Sequence, residues 1–219
     1  MPYSRANSER DDAMSMKNLS LDEFTALTAS SAPSPGGGSI AALVGAVAAS
    51  LSSMVAALTV DKSGYEQHRE EMQKMISDCE RLRTKLLDDI DRDCTSFDGY
   101  IAALKLPKET DEQKEERKAE MQKALKYAAE VPLSIAKTAV EIMPLAEAAV
   151  ERGNKNAVTD GVISAMLCRT AVLSALCNVK INLGMIKDND YVDRVSAEVR
   201  YLEWAANEAE QRIVSISGF

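Results

Sequence analysis

Three groups of residues in this 219-residue chain combine types and spacings that could do chemistry. The first is Pro35, Gly36, Gly37, Gly38 and Ser39, which opens an uncharged run reaching Val60. A helix starting there presents unpaired backbone N–H groups and the positive end of its dipole. The glycines carry no Cβ to keep a ligand away, and Ser39 adds a hydroxyl, so a carboxylate or a polar ring edge fits. The alternative is a connector that lets helices pack tightly. The second group is Asp160, Asn178 and Asn182, in otherwise apolar sequence. On one continuous helix Asp160 and Asn178 share a face, with Ser164, Ser174 and Asn182 within about 40° of it. Asp160 and Asn178 are also roughly 27 Å apart, too far for one small reacting centre in one subunit. Either they serve different parts of a long ligand or symmetry brings copies together. Asp160 could instead cap its helix, following Asn154, Asn156 and Thr159, and the asparagines could bridge helices in a core. The third group is the acidic run Asp88 to Asp93. Asp89 and Asp93 are an i, i+4 pair whose like charges oppose each other, so one can be raised in pKa and carry a proton. A solvated acidic face is the simpler alternative.

Gly36, Gly38 and Ala41 also fit the G-x-G-x-x-A dinucleotide fingerprint, with Asp61 in the place of its acid. That fingerprint needs a strand before the glycines and another ending near the acid. Here Ser20 and Glu23 spell a helix-capping box, giving a helix from Leu21 to about Ser30, stopped by Pro33 and Pro35. A helical run then carries from about Gly38 to Thr59, straight into Asp61. No Lys-Ser/Thr follows the glycines, so a Walker A loop is excluded as well.

The remaining elements follow from the same periodicity. Met72, Met75, Ile76, Cys79, Leu82, Leu86 and Ile90 predict one long helix from Tyr65 to about Leu104, ended by Pro107. A charged turn at 108–118 leads into a helix to about Glu130, and Pro132 kinks it or starts the next segment at Val131. That segment runs to about Arg152, before Gly153 and Asn154. Further helices are expected over about Asn156–Ile186 and Asp190–Ile216. No strand alternation and no internal repeat is present, so the fold class is all-α: a single-domain bundle of six or seven helices. Residues 1–17 read as a mobile polar tail and 18–219 as the domain.

Composition agrees, with 5% aromatic residues and abundant Ala, Leu, Glu, Lys and Met. A net charge of −8 gives no footprint for nucleic acid or an anionic membrane. The run Gly36–Val60 is long enough to span a bilayer, but its Ala, Ser and Gly content predicts a helix packed on all sides by other helices, with no second stretch like it. The first residues, MPYSRANSERDDAMSM, lack the apolar run of a signal peptide, and a cytoplasmic location is expected. Cys79, Cys94, Cys168 and Cys177 form no C-x-x-C pair and His68 is the sole histidine, so no metal is expected. Cys168 and Cys177 are expected as reduced core residues. His68 is expected at the surface.

Taken together, SLDEFTALTASSAPSPGGGSIAAL, ALTVDKSGY, DRDCTSFDGYIAALKLPKET, EVPLSIAKTA, GNKNAVTDG and NVKINL resemble the cyclodeaminase/cyclohydrolase family of folate enzymes, in order over residues 20–183. The resemblance implies an all-helical homodimer acting on a tetrahydrofolate derivative, with no tightly bound cofactor or metal. Two reactions occur in the family. Formiminotetrahydrofolate cyclodeaminase closes N10 on the formimino carbon and releases ammonia, giving 5,10-methenyltetrahydrofolate. Methenyltetrahydrofolate cyclohydrolase adds water at the same carbon. The segments KLPKET and DRDCTSFD look most like the cyclodeaminase branch. A non-catalytic folate-binding helical protein is the remaining alternative. By residue, the resemblance carries over Pro35, Gly36, Gly37, Gly38, Ser39, Lys62, Asp93, Asp160, Asn178 and Asn182. Only the positions follow from the resemblance; for their roles, Asp160 or Asp93 is expected as proton carrier, with Ser39 and the loop amides orienting the pterin or the reacting carbon. Lys62 would face a substrate carboxylate, and Asn178 and Asn182 would bond ligand or loop across the dimer. No formiminotransferase segment is recognisable, so a separate formiminotransferase is an expected partner.

Overall fold

The computed structural model describes residues 15–218 and forms seven α-helices among them. They are α1 (Leu21–Thr28), α2 (Gly37–Val60), α3 (Arg69–Thr95), α4 (Asp98–Leu104), α5 (Asp111–Arg152), α6 (Val158–Leu183) and α7 (Asn189–Ser217). Short 3-10 turns precede α1, α3 and α6, and no strand occurs among the described residues. The all-α expectation holds.

Local chemistry explains the boundaries. Ser20 and Glu23 form the expected capping box at α1, and Thr110 and Gln113 form another at α5. Asp188 caps α7 by accepting from the Tyr191 amide, and Gly218 ends it in the left-handed conformation at φ 81°. In α3 the buried row is Met72, Met75, Cys79, Leu82, Leu86, Asp89 and Ile90. It follows the predicted apolar row, with Asp89 as its one charged member.

Helix α2 lies against α3, α5 and α6. From Gly38 to Ser52 its buried face has no side chain larger than serine: Gly38, Ser39, Ala41, Ala42, Gly45, Ala46, Ala48, Ala49 and Ser52. Neighbouring helices therefore approach its backbone closely. A Cβ on Gly45 would lie 3.1 Å from Leu86 Cδ1, and the Ser164 hydroxyl donates to the Ala48 carbonyl at 2.7 Å. Ser164 also bonds Ser52 at 2.8 Å, so it serves the α2–α6 contact. Helix α6 runs antiparallel to α2: Asn178, near its end, meets Gly37, and Asn154, just before its start, donates its amide to Thr59 Oγ1 at 2.9 Å.

Several expectations need correction. The helix predicted over Tyr65–Leu104 is interrupted after Thr95, where the Ser96 hydroxyl bonds the Asp93 carbonyl at 2.9 Å in place of the helical pattern. Conversely, α5 runs unbroken through Pro132 and Pro144. Proline lacks the N–H that would reach the Ala128 carbonyl, and Asn182 Nδ2 donates to that carbonyl instead, at 2.7 Å. Residues 1–14 of the predicted tail lie outside the described residues. Ser15 to Lys17, read as part of that tail, are tied to α3: Asp91 accepts from the Ser15 hydroxyl and the Met16 amide, each at 2.6 Å, and Lys17 pairs with Asp88. Helix α2 is not packed on all sides, since Val47 is 45% and Leu58 50% exposed. Both α2 and the segment Lys155–Leu183 are long and apolar enough to cross a membrane by length and composition, and half of each apolar window is buried inside the protein. Cys168 is buried as expected, but Cys177 is exposed on the outer side of α6.

Leu86 fills the groove over Gly45 and is fully buried. Leu86→Ala should destabilise the fold by about 2–5 kcal/mol, read as a lower urea midpoint at unchanged slope.

Candidate active site

The polar residues at the start of α2 are organised by one contact from α3. Gly36 occupies the N-cap position of α2 and has no side chain to cap it. The adjacent polar group is Asp93, from the last turns of α3, whose Oδ2 accepts from the Ser39 hydroxyl at 2.8 Å. Gly38 makes this approach possible, because a Cβ there would stand 2.0 Å from Asp93 Oδ1. Ser39 is wholly buried and Asp93 half-buried. Burial pushes the Asp93 carboxyl above the ordinary carboxylate range, and the nearby Asp89 adds to the rise. Donation from Ser39 pulls the other way without cancelling it. The result is a carboxyl that holds a proton more readily than usual while its geometry is fixed.

Next to it, Pro35, Gly36, Gly37 and Ile40 form one wall of an open cleft of about 640 Å³, with Cys177 and Asn178 of α6 on the other. Asn178 Nδ2 donates to the Ser174 carbonyl at 3.0 Å and would lie 3.4 Å from a Cβ on Gly37. Asn182, one turn on, has its amide nitrogen on the Ala128 carbonyl, as described above. The structure thus gathers Pro35, Gly36, Gly37, Gly38, Ser39, Asp93, Asn178 and Asn182 at one end of the bundle.

Lys62 and Asp160 lie at the other end. Lys62 follows the C-terminus of α2, about 30 Å from Ser39 along that helix. Its half-buried side chain has no ion pair among the described residues. Asp160 is the third residue of α6 and half-buried. It does not cap the helix, whose N-cap position is Ala157. Asn154 provides the local cap, accepting from the Asn156 amide at 3.1 Å. Within one chain, neither Lys62 nor Asp160 reaches Asp93.

Sequence reasoning passed over the support behind Asp93. Asp89, 1% exposed, takes one short bond from Arg92 and a 3.4 Å contact from Lys85. Lys85 also bonds Ser134 at 3.1 Å and makes a short bond to Thr138, both on α5. The Lys85–Asp89 spacing of i, i+4 was a readable signal; the α5 hydroxyls were not. The acidic run is therefore divided by role: Asp88 and Asp91 hold the N-terminal segment, Asp89 is an internal ion-pair centre and Asp93 faces Ser39. Cys94 lies 3.4 Å from the Ser39 hydroxyl, and burial pushes its thiol up. Among the described residues no three His, Cys, Asp or Glu side chains gather as a metal cluster.

The model of the formiminotransferase-cyclodeaminase family matches residues 20–201, a span that includes both ends of α2 and both polar clusters. The chain belongs to this family. Among its relatives, the methenyltetrahydrofolate cyclohydrolase of Methylorubrum extorquens is 36% identical over 196 residues, covering 90% of this chain and 94% of that protein. The formimidoyltransferase-cyclodeaminase of Sus scrofa is 31% identical over 194 residues, covering 89% of this chain and 36% of that protein. The chain thus spans about a third of the length of that relative. The crystal structure of formiminotetrahydrofolate cyclodeaminase from Thermotoga maritima superposes with a TM-score of 0.83 at 32% identity, covering 92% of this chain and 97% of that one.

Two outcomes follow from the Asp93 geometry. Gly38→Ala should push the carboxylate off Ser39 and destabilise the fold by about 1–3 kcal/mol, visible as a lower melting temperature. Ser39→Ala removes a donor that favours the ionised form, so the titration midpoint of Asp93, followed by carboxyl-carbon NMR, should move to higher pH.

Proposed function

We propose that the chain acts on a one-carbon tetrahydrofolate, and that its reaction is formiminotetrahydrofolate cyclodeamination. The observation that carries this reading is Asp93, a carboxyl of raised proton affinity, oriented by Ser39 at the mouth of a helix and next to an open cleft. The chemistry needs such a group. With the formimino group of 5-formiminotetrahydrofolate protonated as an amidinium (C=NH2+), N10 attacks its carbon, and the C=N electron pair moves onto the nitrogen to give an amino group. Asp93 takes the proton from N10 and returns it to the amino group, making it an ammonium leaving group. The C–N bond to that group then breaks, ammonia leaves, and the N5 lone pair completes 5,10-methenyltetrahydrofolate. A carboxyl with raised pKa can accept and return a proton near neutral pH more easily than an ordinary one.

The similar crystal structure from Thermotoga maritima supports cyclodeamination. The relative of almost equal length from Methylorubrum extorquens favours a second reading, hydration of the methenyl carbon to 10-formyltetrahydrofolate with release of one proton. The same carboxyl would then take a proton from water. On the first reading, the formimino group reaches the folate through a separate transfer reaction.

The deciding measurement supplies each substrate separately and follows methenyl absorbance together with free ammonia. Equal yields of methenyl product and ammonia from 5-formiminotetrahydrofolate are expected. Loss of methenyl absorbance in water, with no ammonia from the formimino substrate, selects the second reading. Asp93→Asn should cut turnover at least about a hundredfold with the helical circular dichroism retained. Because Asp93 must be ionised to accept the proton, wild-type turnover should fall as pH drops through its raised pKa, and this acid limb should move up in Ser39→Ala.

A further inference from the structure

Behind Asp93 the bundle encloses a second carboxylate. Asp89 is almost wholly buried and lies one turn earlier on α3, so the two side chains share a face with Cβ atoms about 6 Å apart. Its own helix holds it from two directions: Arg92 makes a short bond to Oδ1, and the Lys85 ammonium lies 3.4 Å from Oδ2. Helix α5 completes the enclosure. Lys85 donates to the Ser134 hydroxyl at 3.1 Å and makes a short bond to Thr138, and Tyr127 stands beside Arg92. Thr138 is itself buried and fixed, its hydroxyl donating to the Ser134 carbonyl at 2.9 Å.

Such a cluster is an inefficient way to join two helices. Withdrawing a carboxylate from water costs about as much as its cations return, and apolar side chains of similar volume hold helices together at least as well. The buried row of α3 already supplies such side chains before and after Asp89, in Leu82, Leu86 and Ile90. What they cannot supply is a fixed negative charge, and one turn away stands a carboxyl that such a charge affects. The groups facing Asp93 are the Ser39 hydroxyl and first amides of α2, Asp89 on its own helix, and Cys94, whose thiol lies against Ser39. Those facing Asp89 are Lys85 and Arg92, with Ser134, Thr138 and Tyr127 behind them on α5. Asp88 and Asp91 are engaged elsewhere, by Lys17 and by Ser15 and Met16. A negative charge held at Asp89 opposes ionisation of Asp93, in the same direction as burial and against Ser39.

We propose that Asp89 is a positioning residue for the reaction: its carboxylate, held between Lys85 and Arg92, is the fixed charge beside which Asp93 takes up and gives back the proton, and α5 sets the strength of that charge through Ser134 and Thr138. The proposal rests on Asp93 being the proton carrier. It gives α5, which contributes no wall of the cleft, a part in the chemistry. The closer its hydroxyls hold Lys85 to Asp89, the more of the negative charge is offset and the more readily Asp93 ionises. An Asp89 that only tied helices together would matter to stability alone. One that sets a charge moves the pH dependence, in opposite directions when the anion or a cation is lost.

Asp89→Asn keeps the size and an oxygen for Arg92 but deletes the charge and leaves two cations unbalanced. Asp93 then stays ionised to lower pH. The acid limb of turnover should move down by about half a pH unit, about threefold more relative activity at a fixed pH on that limb, and the carboxyl-carbon NMR midpoint of Asp93 should move with it. Lys85→Gln leaves Asp89 less offset, and both should move up. Asp89→Glu keeps the charge but disturbs the packing, so it should lower the melting temperature and leave limb and midpoint near their wild-type values. KM for the folate should hold in all three, since none of these side chains touches it. If Asp89→Asn fails to fold, Lys85→Gln, at a part-exposed ammonium, and Asp89→Glu carry the test. A midpoint that stays put in Asp89→Asn, or that moves down in Lys85→Gln, overturns the proposal and leaves Asp93 as proton carrier. A midpoint that moves as expected while the acid limb does not overturns Asp93 as proton carrier, and with it the catalytic meaning of Asp89.

Discussion

The close approach of other helices to α2 is the constraint on which the rest of the structure depends. A buried helix face built from glycine, alanine and serine contributes little apolar area of its own. Its value is geometric, because it brings larger side chains from α3 and α6 to the α2 backbone. Leu86 over Gly45 supplies the apolar side of that contact, and Ser164 on the Ala48 carbonyl supplies the polar side. Bulkier residues on α2 would have pushed α3 outward and taken Asp93 with it. The fold and the site therefore use the same small-residue face, which explains why the uncharged run begins at the glycines.

At that first turn, the packing decides the electrostatics. A carboxylate beside a helix N-terminus is normally favoured in its ionised form. Here Asp93 is also enclosed by the packing that brings it there, and desolvation is the larger influence. Asp89, one turn earlier, is more deeply buried but is held between Lys85 and Arg92. The like-charge pair is thus resolved by different surroundings. One member has cationic neighbours and a fixed position; the other faces a hydroxyl and retains a raised affinity for protons. Lys85 extends this arrangement to α5 through Ser134 and Thr138, coupling the position of α3 to a helix that carries none of the cleft.

How much of this is legible in the sequence depends on the range of the interaction. Capping at Ser20, the α3 apolar row and the α2 start are local, and sequence pattern locates them well. The break after Thr95 depends on a serine hydroxyl competing for one carbonyl, which composition does not distinguish from an ordinary helical serine. The uninterrupted α5 is less accessible still, because the carbonyl left free by Pro132 is satisfied by Asn182 from α6. Of the candidate residues, the loop and Asp93 come together because Gly38 admits the carboxylate. The angular alignment of Asp160 with Asn178 is real, but helical phase carries no information about which end of a long bundle holds the reacting centre. Cys177 follows the same logic: apolar neighbours in sequence place it on an apolar stripe, and the stripe itself faces outward.

That outward stripe alters what the high apolar content of α2 and α6 means. A helix that is uncharged all round is expected either inside a large core or in lipid. In this bundle each of the two helices has one face against α5 and its neighbours and another facing away from the core. Extending the chain's own core over the second face would require further helices on α2 and α6, and α7 lies instead against α5 and α6.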